Sequence, residues 1–571
     1  MGNKFVISLF LCVSAVSAAA QDLDPTVEVS REYEGKLVEV HKPVLNMAVP
    51  DSLTHFELDF DYSVFANPYK GSYEFSPYLL SMKPSASDSG EKRFYLKAGA
   101  GYQLHPTLDM VWSPKFKRRG FNMDVYALHR SFVGNYLNIL PFESDACDVV
   151  MTKTPKNEEN SHKWFGCDVL NQAGVALKHD WEKLALEYSA GYYGLLQKDR
   201  IWNRGYNAVD AALGIQTKPE TVYSTVFRID VDYRFGEDVV GSSKLYEHVG
   251  GANMHVGPFL QGNHRISLDL DVDYASYSGA FDSAGGNLSL TPRYVFRKNR
   301  FNADLGLRLA KMLTADDLKE QYVYPDVNVS YVLFPKSLKV YLRATGGGEF
   351  ETYSSVIASN HHITHLMPSG LLGYRIERAG LIAGFDGRIT DKFSYNLRGG
   401  YANYLSLRHY AVEVVDDPLL DVAYVGCQKW FAALDWAFDI EGFRFDGNVS
   451  YNRFWDNSDV YGGGRIGRNA VLKPAALTGN TAVEYNWKKR VICGVDCEFS
   501  TASTGQFSHN ERIFNVRVPG YVDLGFYAEY ATARNLSLWM RAGNLMNQTI
   551  QRSPLYAEKG VNFTVGICMN L

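Results

Sequence analysis

The chain reads as an all-β protein, a transmembrane antiparallel β-barrel of roughly 22 strands with a short N-terminal periplasmic extension. Three observations predict it. Apolar and polar residues alternate along segment after segment, each running on for about 9–11 residues, the length a tilted transmembrane strand needs. The polar faces of these segments carry charges of both signs deep in the strand, as a wet lumen permits and a soluble sandwich core does not. Aromatic residues make up 14% of the chain, with 37 Tyr, 32 Phe and 9 Trp, which suits two interfacial girdles. After the N-terminus there is no apolar run of helical transmembrane length, so a helical membrane protein is excluded. The net charge of −5 provides no basic footprint for nucleic acid.

Residues 1–20 have the form of a signal peptide. Lys4 precedes an apolar core, and Ala18 and Ala20 supply a small-residue cleavage site. Cys12 follows the bulky Leu11, which disfavours a lipoprotein reading. Residues 21–90 lack sustained periodicity and carry Pro25, Pro43 and Pro50; they read as a periplasmic extension or linker and a candidate partial cork. The barrel occupies 91–571. In Val226–Phe235, Ile229, Val231 and Tyr233 oppose Arg228, Asp230, Asp232 and Arg234. Ile266, Leu268, Leu270 and Val272 oppose Asp269, Asp271 and Asp273, and Phe443 and Phe445 oppose Arg444 and Asp446. The last segment sets Phe563, Val565, Ile567 and Met569 against Asn562, Thr564, Gly566 and Cys568. Successive strand residues face opposite sides, so each segment has one lipid face and one lumen face.

Connections fall into two sets. Pro335-Lys336, Thr390-Asp391-Lys392, Asp439-Ile440-Glu441-Gly442, Trp487-Lys488-Lys489-Arg490 and Thr532-Ala533-Arg534-Asn535 are turn-sized. Long polar excursions lie near 135–170, 349–379, 405–426, 456–472, 501–519 and 547–560. Short periplasmic turns and long extracellular loops are the habit of bacterial barrels, which puts both chain ends in the periplasm.

The closing segments carry a resemblance. Asp523 to Tyr530, Asn535 to Leu538, Gly543-Asn544-Leu545-Met546-Asn547-Gln548 and Phe563-Thr564-Val565-Gly566 follow one another as in the final strands of TonB-dependent receptors. Tyr324 to Tyr331, Gly346-Gly347-Gly348 and Phe393 to Leu397 resemble plugless relatives of that family. The resemblance covers about 93–571 and implies an outer-membrane barrel of a Gram-negative bacterium that binds or passes a small-molecule solute. It departs from the family in having no plug-like motif before Phe94 and in ending on Leu571 rather than an aromatic residue.

Candidate functional residues are the lumen-facing Arg228, Asp230, Asp232, Arg234, Asp269, Asp271, Asp273, Arg444 and Asp446. Asp269, Asp271 and Asp273 form an acid ladder with carboxylates about 7 Å apart; a cation-selective stripe and an ion-paired interior lining both fit it. Cys147 and Cys167 share one polar excursion and are a candidate loop disulfide in an oxidising compartment. Cys493 and Cys497 are separated by roughly 13 Å of strand and cannot bridge. His361, His362 and His365 read as a polar loop tip rather than a metal site, because no supporting carboxylate stands near them in sequence. No phosphate cradle, nucleophile elbow or cofactor motif is present. The expected partners are outer-membrane lipid, an unidentified solute, and an outer-membrane or periplasmic protein. A barrel this wide normally holds a plug, so the extension, inward-folded loops or a partner must close it.

Overall fold

The computed structural model describes residues 93–571 except 103–104, 117–119, 146–147, 156–161, 219–223, 260–262, 314–321, 336, 364–372, 415–418, 462–468 and 510. The expected signal peptide, the 21–90 extension, Cys147 and His365 lie outside the described residues.

Twenty-two strands hydrogen-bond in a closed antiparallel ring. In chain order β1 to β8 are Phe94–Gly101, Thr107–Trp112, Phe121–Leu137, Lys163–Asp180, Leu184–Lys198, Asn203–Thr217, Val226–Val240 and Ser243–Gly257. Strands β9 to β15 are His264–Gly279, Ser283–Lys298, Phe301–Met312, Val323–Phe334, Leu338–Phe350, Tyr374–Ile389 and Phe393–Glu413. Strands β16 to β22 are Leu420–Ile440, Phe443–Tyr461, Leu477–Trp487, Val491–Ser500, Tyr521–Ala533, Leu536–Gly543 and Asn562–Asn570. Each pairs with the next, and the ring closes where Tyr95–Gly101 of β1 pairs with Asn570–Thr564 of β22. Closure leaves no unpaired edge for another chain to extend.

The alternation read from sequence is realised as an outward apolar belt. Val231, Tyr233 and Phe235 of β7, Leu305, Leu307 and Leu309 of β11, and Phe563, Val565 and Ile567 of β22 are all exposed on the outer surface. Their sequence neighbours point into the lumen. Because β22 enters the ring beside β1, both ends of the described chain lie at one rim, the terminus face. Connections at that rim are short. The β16–β17 turn has positive φ at both Glu441 (40°) and Gly442 (91°), the primed geometry whose twist matches a tight hairpin. A Cβ on Gly442 would also come within 2.6 Å of the Asn486 carbonyl oxygen, so glycine is required there twice over.

The opposite rim, the loop face, is uneven. Strands β15 and β16 have 21 residues each, whereas β1 and β2 have 8 and 6. A crossing consumes about ten residues, so the tall strands continue well beyond the belt. Part of the expected 405–426 excursion is therefore not loop: it is the paired upper halves of β15 and β16. Within the expected 349–379 excursion, Tyr374 already begins β14.

The other long excursions also build structure. Ile139–Asp145 pairs with Asp148–Lys153, which runs parallel to Arg512–Val518. Arg512–Val518 forms a hairpin with Ser503–His509, which pairs through Asn469–Lys473 to the tip of β15 at Tyr410–Glu413. This lid sheet links the β15 tip to the β3–β4 connection, ten places around a ring of 22, close to a diameter. The main apolar core lies here, between lid and wall, and includes Met151, Leu195, Tyr206, Tyr277, Tyr353, Ile357, Tyr374, Leu420, Val516 and Tyr556.

Candidate functional site

The β13–β14 connection is the feature that crosses the mouth from the inside. Thr352 has extended backbone and caps a short helix, α1 (Tyr353–Ser359), its hydroxyl accepting from the Ser355 amide at 3.3 Å. An oxygen side chain at this position satisfies an amide that the first turn cannot. Tyr353, Ser354, Val356 and Ile357 are buried. The far end of the connection is tied down by Tyr374, whose hydroxyl accepts from the Gly286 amide and donates to the Gly286 carbonyl, both at 2.8 Å.

From that root the connection, here termed the strap, tracks along successive wall strands. The Tyr353 amide donates to the Tyr277 hydroxyl of β9 at 3.0 Å, and the Ser354 amide to Glu247 of β8 at 3.1 Å. The Tyr353 hydroxyl donates to Asp238 of β7 at 2.5 Å. Arg204 of β6 lies 3.3 Å from Asp238 and donates to the carbonyls of His361 and Ile363. Gln197 of β5 bonds His362 Nδ1 at 2.7 Å, and His361 Nε2 stands 2.9 Å from Asp168 of β4. From β13 to β4 is nine places around the ring, so the strap spans nearly the full width.

The strap lands on the β21–β22 connection. His362 stacks on Tyr556 with ring centroids 3.8 Å apart, and Asn360 donates to Ser553 at 3.0 Å. Tyr556 in turn donates to Asp199 at 2.7 Å. The landing is itself anchored by Arg552, which reaches Asp523 at 2.7 Å and Glu498 at 2.9 Å. Burial, then the neighbouring His361 and Arg204 charges, hold His362 well below the usual imidazole range. Burial pushes the Asp199 carboxyl up, against the opposing pull of the Tyr556 hydrogen bond. At the low rim, burial beside Lys559 and Arg130 brings His105 down to about 4.

The sequence-predicted residues lie lower, on the lumen wall. Arg228 donates to Asp230 at 2.6 Å, Arg444 to Asp446 at 2.8 Å, and Arg234 to Asp210. Asp232 leans over the side-chain gap at Gly251, where an added Cβ would meet its carboxylate at 2.5 Å. Asp269 is held by His255 at 2.5 Å and Arg293 at 3.5 Å, and Asp271 accepts from Ser289 at 3.3 Å. Asp273 stands opposite Gly251 and Asn287. The β7 and β9 residues thus share one patch of wall, with Arg444 and Asp446 on a distant strand. Arg293, which also reaches Asp304 at 2.9 Å and Asp326 at 2.7 Å, is the hub that reading single strands does not reveal.

Two expectations are corrected. His361 and His362 are not a polar loop tip: the strap carries them inward, and His362 is half-buried between Gln197 and Tyr556. Cys167 lies within β4, opposite Val133 and Lys198, rather than in the polar excursion, and its expected disulfide partner Cys147 lies outside the described residues. The Gly346-Gly347-Gly348 run lies within β13, where a Cβ on Gly348 would overlap the Met312 side chain at 1.5 Å. Among the described residues no group of three His, Cys, Asp or Glu is placed to hold a metal ion.

No protein-family model and no curated protein sequence matches the chain. Solved structures do. The FrpB iron transporter of Neisseria meningitidis superposes with a TM-score of 0.61 at 10% identity, over 84% of this chain and 82% of that one. The copper transporter OprC has a TM-score of 0.60 at 12% identity, over 84% and 80%. The fold is that of a TonB-dependent receptor barrel. A ferric enterobactin receptor (PfeA) variant of Pseudomonas aeruginosa, solved with enterobactin, matches this receptor-like barrel at 10% identity with a TM-score of 0.60, over 85% and 82%. At such identities the likeness is one of architecture.

Proposed function

We propose that the chain is an outer-membrane receptor-type transporter for a small-molecule solute, gated at its loop face by its own strap and lid. The carrying observation is the pairing of a polar, ion-paired lumen wall with a mouth crossed from β13 to β4 by a sequence-specified strap. A solute path needs such a wall, and a wide barrel needs such a closure. The solved neighbours named as iron and copper transporters support the same reading through their architecture. The wall residues Arg228, Asp230, Asp232, Arg234, Asp269, Asp271 and Asp273 would line the path and tune its selectivity.

Planar-bilayer conductance of the purified chain tests it. Full-length protein, a form lacking 21–90, a form with 352–363 replaced by a short Gly/Ser linker, and the combination are compared. Large steps that appear only when the strap is removed support gating. Silence in all four forms overturns the transport reading.

A second reading, an accessory barrel within an outer-membrane complex, is favoured by the dryness of the strap contacts, which resemble a permanent core. Co-purification with a fixed partner whose loss destabilises the barrel distinguishes it.

A further inference from the structure

We propose that Arg453, on the outer surface of β17, binds the phosphate-bearing headgroup of a membrane lipid at the loop-side edge of the apolar belt. Outward positions of β15 to β18 follow from the register: Tyr401 opposes Trp430, which opposes Arg453, and Tyr451 opposes Leu477. Arg453 is exposed, with its guanidinium carbon 4.8 Å from the Trp455 ring centroid. Below the bulge at Tyr404–Leu407, every other described outward position along these four strands is uncharged. An arginine on the lipid face costs about 2–4 kcal/mol at the bilayer midplane and about 0–1 near the interface. The position therefore has to be interfacial, and the geometry agrees. Arg453 is ten residues above Phe443 at the terminus-face turn, roughly 23 Å of height for a strand tilted near 45°. That is the edge of an apolar band about 25 Å tall.

The surroundings make a seat there rather than a stray charge. Trp430, 54% exposed, packs at 5.0 Å on Tyr401, and with Trp455 and Tyr451 it frames the guanidinium in aromatic rings. Strand β18 begins at Leu477 opposite Tyr451, and the Asn452 amide donates to the Ala476 carbonyl at 2.7 Å, so Arg453 is the first outward residue above the paired length of β17 and β18. One rung higher, the half-buried Asn403 and Gln428 oppose each other. Among the described residues no carboxylate pairs with Arg453. Interfacial aromatics suit the glycerol–acyl boundary, and a planar guanidinium matches a phosphate through two parallel N–H bonds. Because the seat faces away from the lumen and continues the belt, its occupant is a lipid and not the transported solute.

The full chain in detergent is titrated with lipids of identical brominated acyl chains bearing either phosphatidic acid or phosphatidylcholine headgroups, and tryptophan quenching is read. The expected result is that the native chain prefers phosphatidic acid about fivefold more strongly than R453Q does, the effect of one interfacial cation. Arg512→Gln, which removes an exposed cation from the lid, away from the apolar belt, serves as the control and should keep the preference, and R453K should keep part of it. Circular dichroism and heat-modifiable migration confirm that each variant is folded. An unchanged preference in R453Q overturns the proposal. So does displacement of the bound lipid by millimolar inorganic phosphate, which would make the seat a free-anion site.

Discussion

Arg204 under the strap and Arg228 on the open wall are both arginines paired with an aspartate, and water separates their roles. The Arg204–Asp238 side chains are 0% and 1% exposed, whereas those of Arg228 and Asp230 are 26% and 34% exposed. A charge pair in a dry site is costly to assemble and more costly to split, because removing one partner strands the other without water. A pair facing a wet lumen can exchange its partner for solvent. Closing energy is thus concentrated where the strap meets the upper wall, and the lower wall is a replaceable lining.

The sharpest way to break this contrast is Arg204→Ala. It strands Asp238 and frees the His361 and Ile363 carbonyls, so strap docking should weaken by about 3–5 kcal/mol. Hydrogen exchange over 353–363 should accelerate by orders of magnitude while exchange in β18 to β20 stays unchanged; equal protection would show that the apolar core alone holds the strap. Arg293→Gln comes next. It leaves Asp269, Asp304 and Asp326 facing one another at a half-buried site, a loss of about 1.5–3 kcal/mol to be read as a lower unfolding temperature without faster strap exchange.

Acidification is a gentler probe of the same boundary. His362 is held in its neutral form, with its folded-state pKa depressed, so its contribution is present above the ordinary value of about 6.5 and is lost as pH falls toward and through the depressed one. Asp199 runs the other way at lower pH, because its folded-state pKa is raised. Its contribution is complete below the ordinary carboxylate value and fades as pH rises through the folded one. Strap exchange should therefore speed up between neutral pH and about 5, and His362→Gln should flatten that profile. The smallest effect belongs to Arg228→Ala, about 0–1 kcal/mol in stability. Its visible consequence should be a shift of the strap-deleted pore toward cation selectivity, measured as reversal potential in a salt gradient.

Much of this molecule is written in short-range pattern. The period-two alternation of Phe563, Val565 and Ile567 against Thr564, Gly566 and Cys568 needs no neighbour to be read, because the pleat alone assigns the faces. The same holds for the inward placement of Arg228 and Asp230, and for a short connection within Asp439-Ile440-Glu441-Gly442. The candidate site was legible only in part. Arg204, Asp238 and Glu247 fall on the lumen face of alternating segments, yet nothing in those segments marks them as dry. His361 and His362 sit in a stretch that looks polar and exposed when read alone.

The sequence by itself determined a barrel, its approximate strand number, its two faces and which connections are long, since each follows from residues within a strand's length of one another. Only the tertiary structure decided that the long connections turn inward, lock across the mouth and convert polar side chains into a buried core. The partners in those contacts are far apart in the chain: Arg204 meets Tyr353, and Tyr556 meets Asp199. The water that each side chain keeps or loses is set by ring closure and lid assembly, which bring such distant segments together.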